Sequence, residues 1–141
     1  MIVSLANNIN IIIAANIFLL SLILITQFVS YPLFLKVRDE DFTEYHKRYT
    51  FSISIIVVPT MVIELLSSLN FLFYELNTIS IVNAILVALI WTSTFAIQVP
   101  IHNKLSIMYN ETNIRRLIKT NWIRTIAWTI KLFVILNPYT G

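Results

Sequence analysis

The chain has 141 residues, of which 57% are hydrophobic and 12% are charged, and its formal net charge is +3. A mean hydropathy of +0.79 is far above that of an ordinary soluble domain and indicates a membrane protein. Cysteine is absent and the single glycine is Gly141, which excludes disulfide frameworks, thiolate metal sites and glycine-rich nucleotide-binding loops. Because the basic residues lie beside hydrophobic segments, no nucleic-acid partner is expected.

Four hydrophobic segments reach the ~20 residues that a helix needs to cross a bilayer. Their expected bounds are 9–34, 49–71, 79–101 and 117–136. The first lacks a basic region before it and is longer than the ~7 to 15 apolar residues of a cleaved signal peptide, so we expect it to stay in the chain. Short loops and no internal repeat predict one all-α domain over 1–141, a polytopic membrane protein folded as an antiparallel bundle of four transmembrane helices.

Lysine and arginine are distributed unevenly over the connecting loops. Those that follow the first and third segments are Lys36, Arg38, Lys47, Arg48, Lys104, Arg115, Arg116 and Lys119. The amino terminus, the turn at 75–78 and the tail from 137 have none. The excess of positive charge on cytoplasmic loops then predicts that both termini lie on the non-cytoplasmic side, and we expect a bacterial inner membrane.

Local signals refine the second, third and fourth segments. Asp41 is expected to cap an early start of the second helix, and Asn113 the start of the fourth. Pro59 and Pro100 lack an amide proton and are expected to kink their helices. The tryptophans are expected to anchor the chain at the interface or to pack.

Each segment also has one polar stripe, which should face its neighbours rather than lipid. Glu64 lies roughly 22 Å from the cytoplasmic end of its segment and Lys131 roughly 21 Å, at about 1.5 Å per helical residue. Because an unpaired charge in hydrocarbon is costly, these matching depths predict a buried ion pair. Its role is either structural or that of a proton relay or ligand contact.

A second polar group is expected nearer the cytoplasm. Arg124 is always charged and needs acceptors, which a ligand carbonyl, quinone oxygen, carboxylate or phosphate would supply. The alternative is that protein amides, water and lipid headgroups satisfy it. The candidate ligand-binding residues are Gln27, Gln98, Asn103, Asn121 and Arg124.

The two histidines, His46 and His102, are both expected at the cytoplasmic face. Ligation of a metal or haem by the pair is a weak alternative to interfacial histidines without ligation, so no metal site is predicted. His102 is the candidate catalytic residue, because an imidazole can act as general acid or base near neutral pH. No cofactor is predicted, while haem and quinone stay open.

The chain resembles a group of small, uncharacterised bacterial membrane proteins with four spans, and the resemblance runs through most of its length. More distantly it is similar to the anthrone-oxygenase-like domain-of-unknown-function family, which includes cofactor-independent oxygenases of polycyclic aromatics. The first resemblance implies that Gln98, His102, Asn121 and Arg124 belong to one site. The residues that carry it are Tyr31, Pro32, Leu33, Phe34, Phe42, Tyr45, His46, Pro59, Glu64, Gln98, Val99, Pro100, His102, Asn103, Asn121, Trp122, Arg124, Thr125 and Trp128.

The leading functional hypothesis is a membrane protein that binds the polar head of a hydrophobic small molecule in a cytoplasm-facing cleft between the third and fourth segments. In the catalytic form of this hypothesis, the protein carries out oxidoreductase- or oxygenase-like chemistry on that molecule. One alternative is a structural or accessory subunit of a larger membrane complex, and another is a proton-coupled carrier, which would need a homo-oligomer to enclose a path. The expected partners are therefore the lipid bilayer, a small molecule, and either a larger complex or further copies of the chain.

Overall fold

The computed structural model describes residues 5–137, and that part of the chain consists of helices joined by short turns at 35–38, 75–77 and 106–110, with no strand. Neither π-helical segment interrupts the helix that contains it, so the elements form four continuous helical segments. In chain order the elements are α1 (Leu5–Ile25), a first π segment (Thr26–Ser30), α2 (Tyr31–Phe34), α3 (Asp39–Tyr74), α4 (Thr78–Ser93), a second π segment (Thr94–Gln98), α5 (Val99–Leu105) and α6 (Glu111–Leu136).

Three of the four helical segments are long and apolar enough to cross a membrane: Asn7–Phe34, Asp39–Tyr74 and Thr78–Leu105. With 28, 36 and 28 residues, they extend roughly 42, 54 and 42 Å at about 1.5 Å per residue, more than the ~30 Å of a hydrocarbon core. This suggests a membrane protein. The fourth expected span lies within α6. This helix is long enough to cross a membrane, but it has too many charged residues to be a candidate span like the other three. Its basic residues are Arg115, Arg116, Lys119, Arg124 and Lys131.

The helix α3 starts well before the expected residue 49. It begins at Asp39, and Arg38 holds the preceding position with an extended backbone. Asp41 does not cap this helix, because it lies in the first turn and its Oδ2 accepts a hydrogen bond of 2.9 Å from Arg38 Nε. Acidic residues in a first turn are favoured by the helix dipole, which explains a start this early.

The start of α6 also differs from expectation. Asn110, rather than Asn113, is the capping residue, and its Oδ1 accepts a hydrogen bond of 2.8 Å from the Asn113 amide. The helix therefore begins at Glu111, earlier than the expected residue 117. Both early starts extend helices beyond the apolar runs, because capping and first-turn charges add polar turns that hydropathy does not register.

A proline follows each π segment, as the second residue of the next helix. Pro32 and Pro100 have no amide proton, and their rings crowd the carbonyls four residues earlier, those of Phe28 and Ala96, which lie inside the π segments. The wider π turn accommodates this crowding without breaking the helix. Pro59 differs, because it lies inside α3 without a π segment.

Two clusters of buried hydrophobic side chains hold the helices together. Helix α1 packs on α3 and α6, and α4 packs on α6 and α3. The inner cluster, at the helix ends next to the two basic loops, consists of Tyr31, Phe34, Phe42, Ile101, Leu105, Ile114 and Leu117. The central cluster consists of Leu19, Ile23, Met61, Ile90, Ala127 and Trp128.

Candidate ligand-binding site

A cavity of about 310 Å³ has walls that include residues of both clusters. Leu19, Ile23, Met61 and Trp128 of the central cluster line it, and so does Tyr31 of the inner cluster. Both π segments also contribute, which is notable because π turns are frequent at functional sites. Small-molecule sites have volumes of roughly 300 to 1,000 Å³, so this cavity suits a small ligand or the head of a larger one.

The exposed residues of the cavity wall lie on two helical segments and form a rim on the side of the molecule. Ser54 and Val58 of α3 form one side of this rim, and Phe95, Val99 and Asn103 form the other. Val58 is 53% exposed and Phe95 is 58% exposed. The rim is therefore mainly apolar and faces sideways, so a hydrophobic molecule can enter from the flank of the bundle.

Four polar atoms of the cavity-lining side chains are buried and have no hydrogen-bond partner within residues 5–137. They are Tyr49 Oη, Trp91 Nε1, Gln98 Oε1 and Arg124 Nε. A buried polar group without a partner costs about 1 to 3 kcal/mol, so proteins rarely keep several together without a use for them. These atoms form a set of two N–H donors, one carbonyl acceptor and one hydroxyl group that a bound molecule can satisfy.

The orientation of the Gln98 amide follows from its neighbour. Its Nε2 donates a hydrogen bond of 3.0 Å to Thr120 Oγ1. The Thr120 hydroxyl in turn donates to the Arg116 carbonyl at 2.8 Å, so it has no proton left for Gln98. An inverted amide would place oxygen against oxygen, and Gln98 Oε1 is therefore the atom left to accept a hydrogen bond from a ligand.

Arg124 is held from behind by a chain of amides. Its Nη2 donates to Asn121 Oδ1. Asn121 Nδ2 donates to Gln27 Oε1 at 2.8 Å, and Gln27 Nε2 donates to the Ile118 carbonyl at 3.1 Å. Asn121 and Gln27 are both buried. Because none of these groups is a carboxylate, the guanidinium keeps its full positive charge uncompensated by them, and the site favours an electron-rich or anionic oxygen.

Tyr31 joins Arg124 to the two histidines. Arg124 Nη2 lies 3.4 Å from the Tyr31 hydroxyl, and that hydroxyl lies 3.0 Å from His102 Nε2. His102 Nδ1 lies 2.9 Å from His46 Nε2, and His46 Nδ1 lies 3.1 Å from Ser106 Oγ. A continuous hydrogen-bonded chain thus runs from the cavity wall at Arg124 to Ser106, which is partly exposed at the end of α5.

Aromatic packing fixes the rings in this chain. His46 is stacked on Phe42 with ring centroids 5.4 Å apart and on His102 at 5.1 Å. The Phe34 ring meets His46 edge-on at 5.4 Å and Tyr31 at 5.6 Å. Because tight packing restricts ring rotation, the hydrogen-bonded atoms are held in register.

Glu64 and Lys131 form an ion pair deep in the molecule, with Lys131 Nζ 2.9 Å from Glu64 Oε1 and both side chains 0% exposed. Trp128 Nε1 lies 3.1 Å from each carboxylate oxygen. Lys131 also donates to Asn16 Oδ1 at 3.2 Å, and Asn16 Nδ2 donates to the Trp128 carbonyl at 3.1 Å. The pair is thus enclosed by hydrogen bonds from three helices, which offsets the cost of burying two charges.

The two histidines do not face a common metal position. One nitrogen of each ring is bonded to the other ring, and the remaining two contact Tyr31 and Ser106. Within residues 5–137 no group of three or more histidine, cysteine or acidic side chains has the spacing of a metal site. The arrangement of this pair is that of a hydrogen-bond relay.

Four of the residues expected to bind a ligand or act in catalysis belong to the cavity wall: Gln98, His102, Asn103 and Arg124. Asn103 lies at the exposed rim. Gln27 and Asn121 lie behind Arg124, and His46 reaches the wall only through His102. Helices α1 and α3 contribute to the wall as well, so the site is not confined to the third and fourth segments as the sequence suggested.

Sequence reasoning missed several residues of the site. Tyr49 and Trp91 carry unpaired polar atoms at the cavity, and Tyr31 links the guanidinium to the imidazoles. Trp128 is 1% exposed and bonded to Glu64, so it is not an interfacial anchor. Trp122, by contrast, is 41% exposed and packs edge-on against Phe28. The signal available for Tyr31 was its place in the polar stripe of the first segment, four residues after Gln27.

Comparisons with known protein families, with curated proteins and with solved structures find no match to this chain. The geometry of the site is therefore the basis for the functional argument that follows.

Proposed function

We propose that the chain is an integral membrane protein that binds the oxygen-bearing head of a hydrophobic small molecule in the lateral cavity. The observation that carries the proposal is the set of four buried, unpaired polar atoms in a largely apolar cavity. An apolar pocket with a few converging polar groups is the usual form of a small-molecule site.

The unpaired atoms define the chemistry of the ligand. Arg124 Nε and Trp91 Nε1 only donate, so they require an acceptor such as a carbonyl or phenolate oxygen. Gln98 Oε1 only accepts, so it requires a hydroxyl or N–H. A hydroxyl both donates and accepts, so a hydroxyaromatic or a quinol meets both requirements, while a quinone meets that of the two N–H donors. Oxidoreductase- or oxygenase-like chemistry on it, with His102 as general acid or base, is the catalytic form of the proposal.

The proposed setting is a bacterial inner membrane crossed by four antiparallel helices, with both termini outside. In this arrangement the basic loops after α2 and α5 face the cytoplasm. The cavity then lies in the cytoplasmic half of the bilayer and its rim faces the acyl chains. A ligand tail would extend through this rim into lipid while the head binds at Arg124.

The test compares two tryptophan substitutions in purified full-length protein. Trp91→Phe removes one unpaired donor from the cavity with little change of shape, whereas Trp122→Phe alters an exposed tryptophan outside it. Calorimetric titration with 2-naphthol and 1,4-naphthoquinone should show binding to the wild type, a roughly 3- to 10-fold weaker affinity for Trp91→Phe with the quinone, and no change for Trp122→Phe. Failure of both probes to bind wild-type protein, together with no hydrophobic molecule in an organic extract of it, would contradict the proposal.

That negative outcome would favour the accessory-subunit alternative. The large hydrophobic side chains on the outer faces of the helices, including Phe51 at 70% and Phe133 at 72% exposed, would then contact other subunits as well as lipid. A carrier role is less well supported, because the Glu64–Lys131 pair is enclosed by its own hydrogen bonds.

A further inference from the structure

The hydrogen-bonded chain from Arg124 to Ser106 has two self-consistent polarities. Arg124 only donates, so the Tyr31 oxygen accepts from it in both. In the outward polarity Tyr31 donates to His102, His102 to His46, and His46 to Ser106. In the inward polarity Ser106 donates to His46, His46 to His102, and His102 to Tyr31. Both imidazoles are neutral in each case, with the proton on Nδ1 in the first and on Nε2 in the second.

The two polarities differ in what Tyr31 offers to the cavity. In the outward polarity its own proton is used by His102, and the oxygen still accepts a hydrogen bond from a ligand hydroxyl. In the inward polarity the oxygen accepts from Arg124 and His102, and the proton points to a ligand acceptor. Tyr31 lines the cavity, so its hydroxyl is placed to contact the bound head.

We propose that Tyr31 exchanges a proton with the oxygen of the bound head, and that His102 and His46 carry this proton to and from Ser106. The inference rests on the proposed function, because it needs a ligand in the cavity. It adds a path for protons between a buried site and the aqueous face. His102 is thereby a relay group that acts through Tyr31 rather than directly on the ligand.

Each transfer balances along the chain. A ligand hydroxyl gives its proton to the Tyr31 oxygen as Tyr31 gives its own to His102 Nε2. His102 passes its Nδ1 proton to His46 Nε2, and His46 passes its Nδ1 proton to Ser106, whose hydroxyl proton leaves to water. The ligand is left as an oxyanion beside the positively charged Arg124, the four groups from Tyr31 to Ser106 are neutral again, and the chain has changed from outward to inward polarity.

No other ionisable group interrupts this path among the described residues. His46 is 0% exposed, and the rings against it are those of Phe34, Phe42 and His102. The acidic side chains at the start of α3 are exposed, and Glu64 is bonded to Trp128 and Lys131. The two imidazoles therefore have no carboxylate partner that would hold a proton on them.

The test uses the fact that the chain has two histidines, so labelling with 15N-histidine gives four ring nitrogens. Nitrogen NMR shifts of the full-length protein report which nitrogen of each ring is protonated. 2-Naphthol is a weak acid that keeps its proton near neutral pH, so with it bound the chain should stay in the outward polarity that precedes transfer, with both rings protonated on Nδ1. With 1,4-naphthoquinone, which only accepts, both should be protonated on Nε2. His46 does not line the cavity, so its switch would be transmitted either through His102 or through Ser106, which both line it, and substitution of Tyr31 distinguishes the two routes.

Tyr31→Phe should abolish the difference between the two probes at both rings while each probe still binds by calorimetry. Tyr45→Phe is the matched control, since Tyr45 precedes His46 on α3 but is 42% exposed and lies outside the cavity wall. It should keep the switch. If both probes bind the wild type and His46 has the same tautomer with each, the relay is wrong and the proposed function stands. If neither probe binds, the proposed function fails and the relay fails with it.

Discussion

At the scale of single residues, two groups of buried polar side chains differ in their hydrogen bonding. The charged groups of Glu64 and Lys131 have partners within their own network, whereas the cavity wall leaves four atoms unpaired, as do Ser68, Asn83 and Ser93 elsewhere. A closed network stabilises the fold and has nothing left to offer a ligand, while an open one costs stability until something binds. The two groups should therefore respond oppositely to substitution.

Removing one charge of the closed network should destabilise the protein strongly. Glu64→Gln leaves the Lys131 charge buried without a counter-charge, and we expect the free energy of unfolding to fall by about 3 to 5 kcal/mol. Glu64→Gln combined with Lys131→Met should recover part of this loss, because no orphaned charge remains. Denaturant titration followed by circular dichroism gives both values.

The control for this buried ion pair is an exposed ion pair within one helix. Glu111 and Arg115 form an ion pair whose side chains are 55% and 65% exposed. Glu111→Gln should change stability by no more than about 0.5 kcal/mol. Additive losses in the Glu64 and Lys131 double variant would show that the two charges do not stabilise each other.

Removal of an unpaired atom of the open network should instead leave the stability of the protein unchanged or raise it. Tyr49→Phe removes a buried hydroxyl without a partner, so the ligand-free protein should keep its stability or gain up to about 1 kcal/mol. Tyr31→Phe breaks two hydrogen bonds of its hydroxyl and should cost about 1 to 3 kcal/mol. Thermal unfolding of the two variants side by side measures the difference. Equal destabilisation by both would mean that the Tyr49 hydroxyl is already bonded.

At the scale of elements, the π segments decide which side chains meet. A π turn holds one residue more than an α turn, and each residue rotates a helix by about 100°. The residues after each π segment are turned by that amount relative to a regular helix. Tyr31 and His102 both follow a π segment, and the contact between them depends on this rotation.

Replacing the proline after the second π segment should disturb this contact. Pro100→Ala restores an amide proton, so the segment Thr94–Gln98 can relax to a regular helix and rotate α5. We expect loss of the coupled histidine shifts and at least about 10-fold weaker binding of 2-naphthol, the equivalent of one lost charge-assisted contact. Pro59→Ala is the control, because α3 has no π segment there, and it should bind normally. Unchanged binding in Pro100→Ala would show that the ligand site does not depend on the π segment.

The helices and their π segments also explain which contacts could be predicted from the sequence and which could not. Matching depths were enough to place Glu64 opposite Lys131, since depth along a helix needs only the rise per residue. Contacts between Tyr31 and His102 depend on rotation about the helix axes, which the π segments change. Hydropathy also missed the charged first turns of α3 and α6. The sequence predicted a cleft between the third and fourth segments, but the walls and volume of the cavity depend on how all four segments pack, which is not a property of any one residue.

At the scale of the whole molecule, the orientation in the membrane can be tested with single cysteines, because the chain has none of its own. Leu76 and Ile107 are 79% and 80% exposed and lie in the turns after α3 and α5. In intact cells, Leu76→Cys should react with a membrane-impermeant maleimide, whereas Ile107→Cys should react only after permeabilisation, because its loop is rich in basic residues. Labelling of Ile107→Cys in intact cells would reverse the proposed orientation.

The sideways rim of the cavity has a consequence for how affinity should be measured. In the proposed setting, a ligand that enters past Val58 and Phe95 is drawn from the acyl-chain phase, so its mole fraction in lipid, rather than its molarity in water, drives occupancy. Empty vesicles added to the sample would then take up part of the ligand and lower its mole fraction in lipid, while the amount of protein stays the same. The total ligand needed for half-saturation should rise in proportion to lipid, while the ligand-to-lipid ratio at half-saturation stays constant. Each methylene added to a tail should raise partitioning by about 0.8 kcal/mol and lower the aqueous concentration required accordingly.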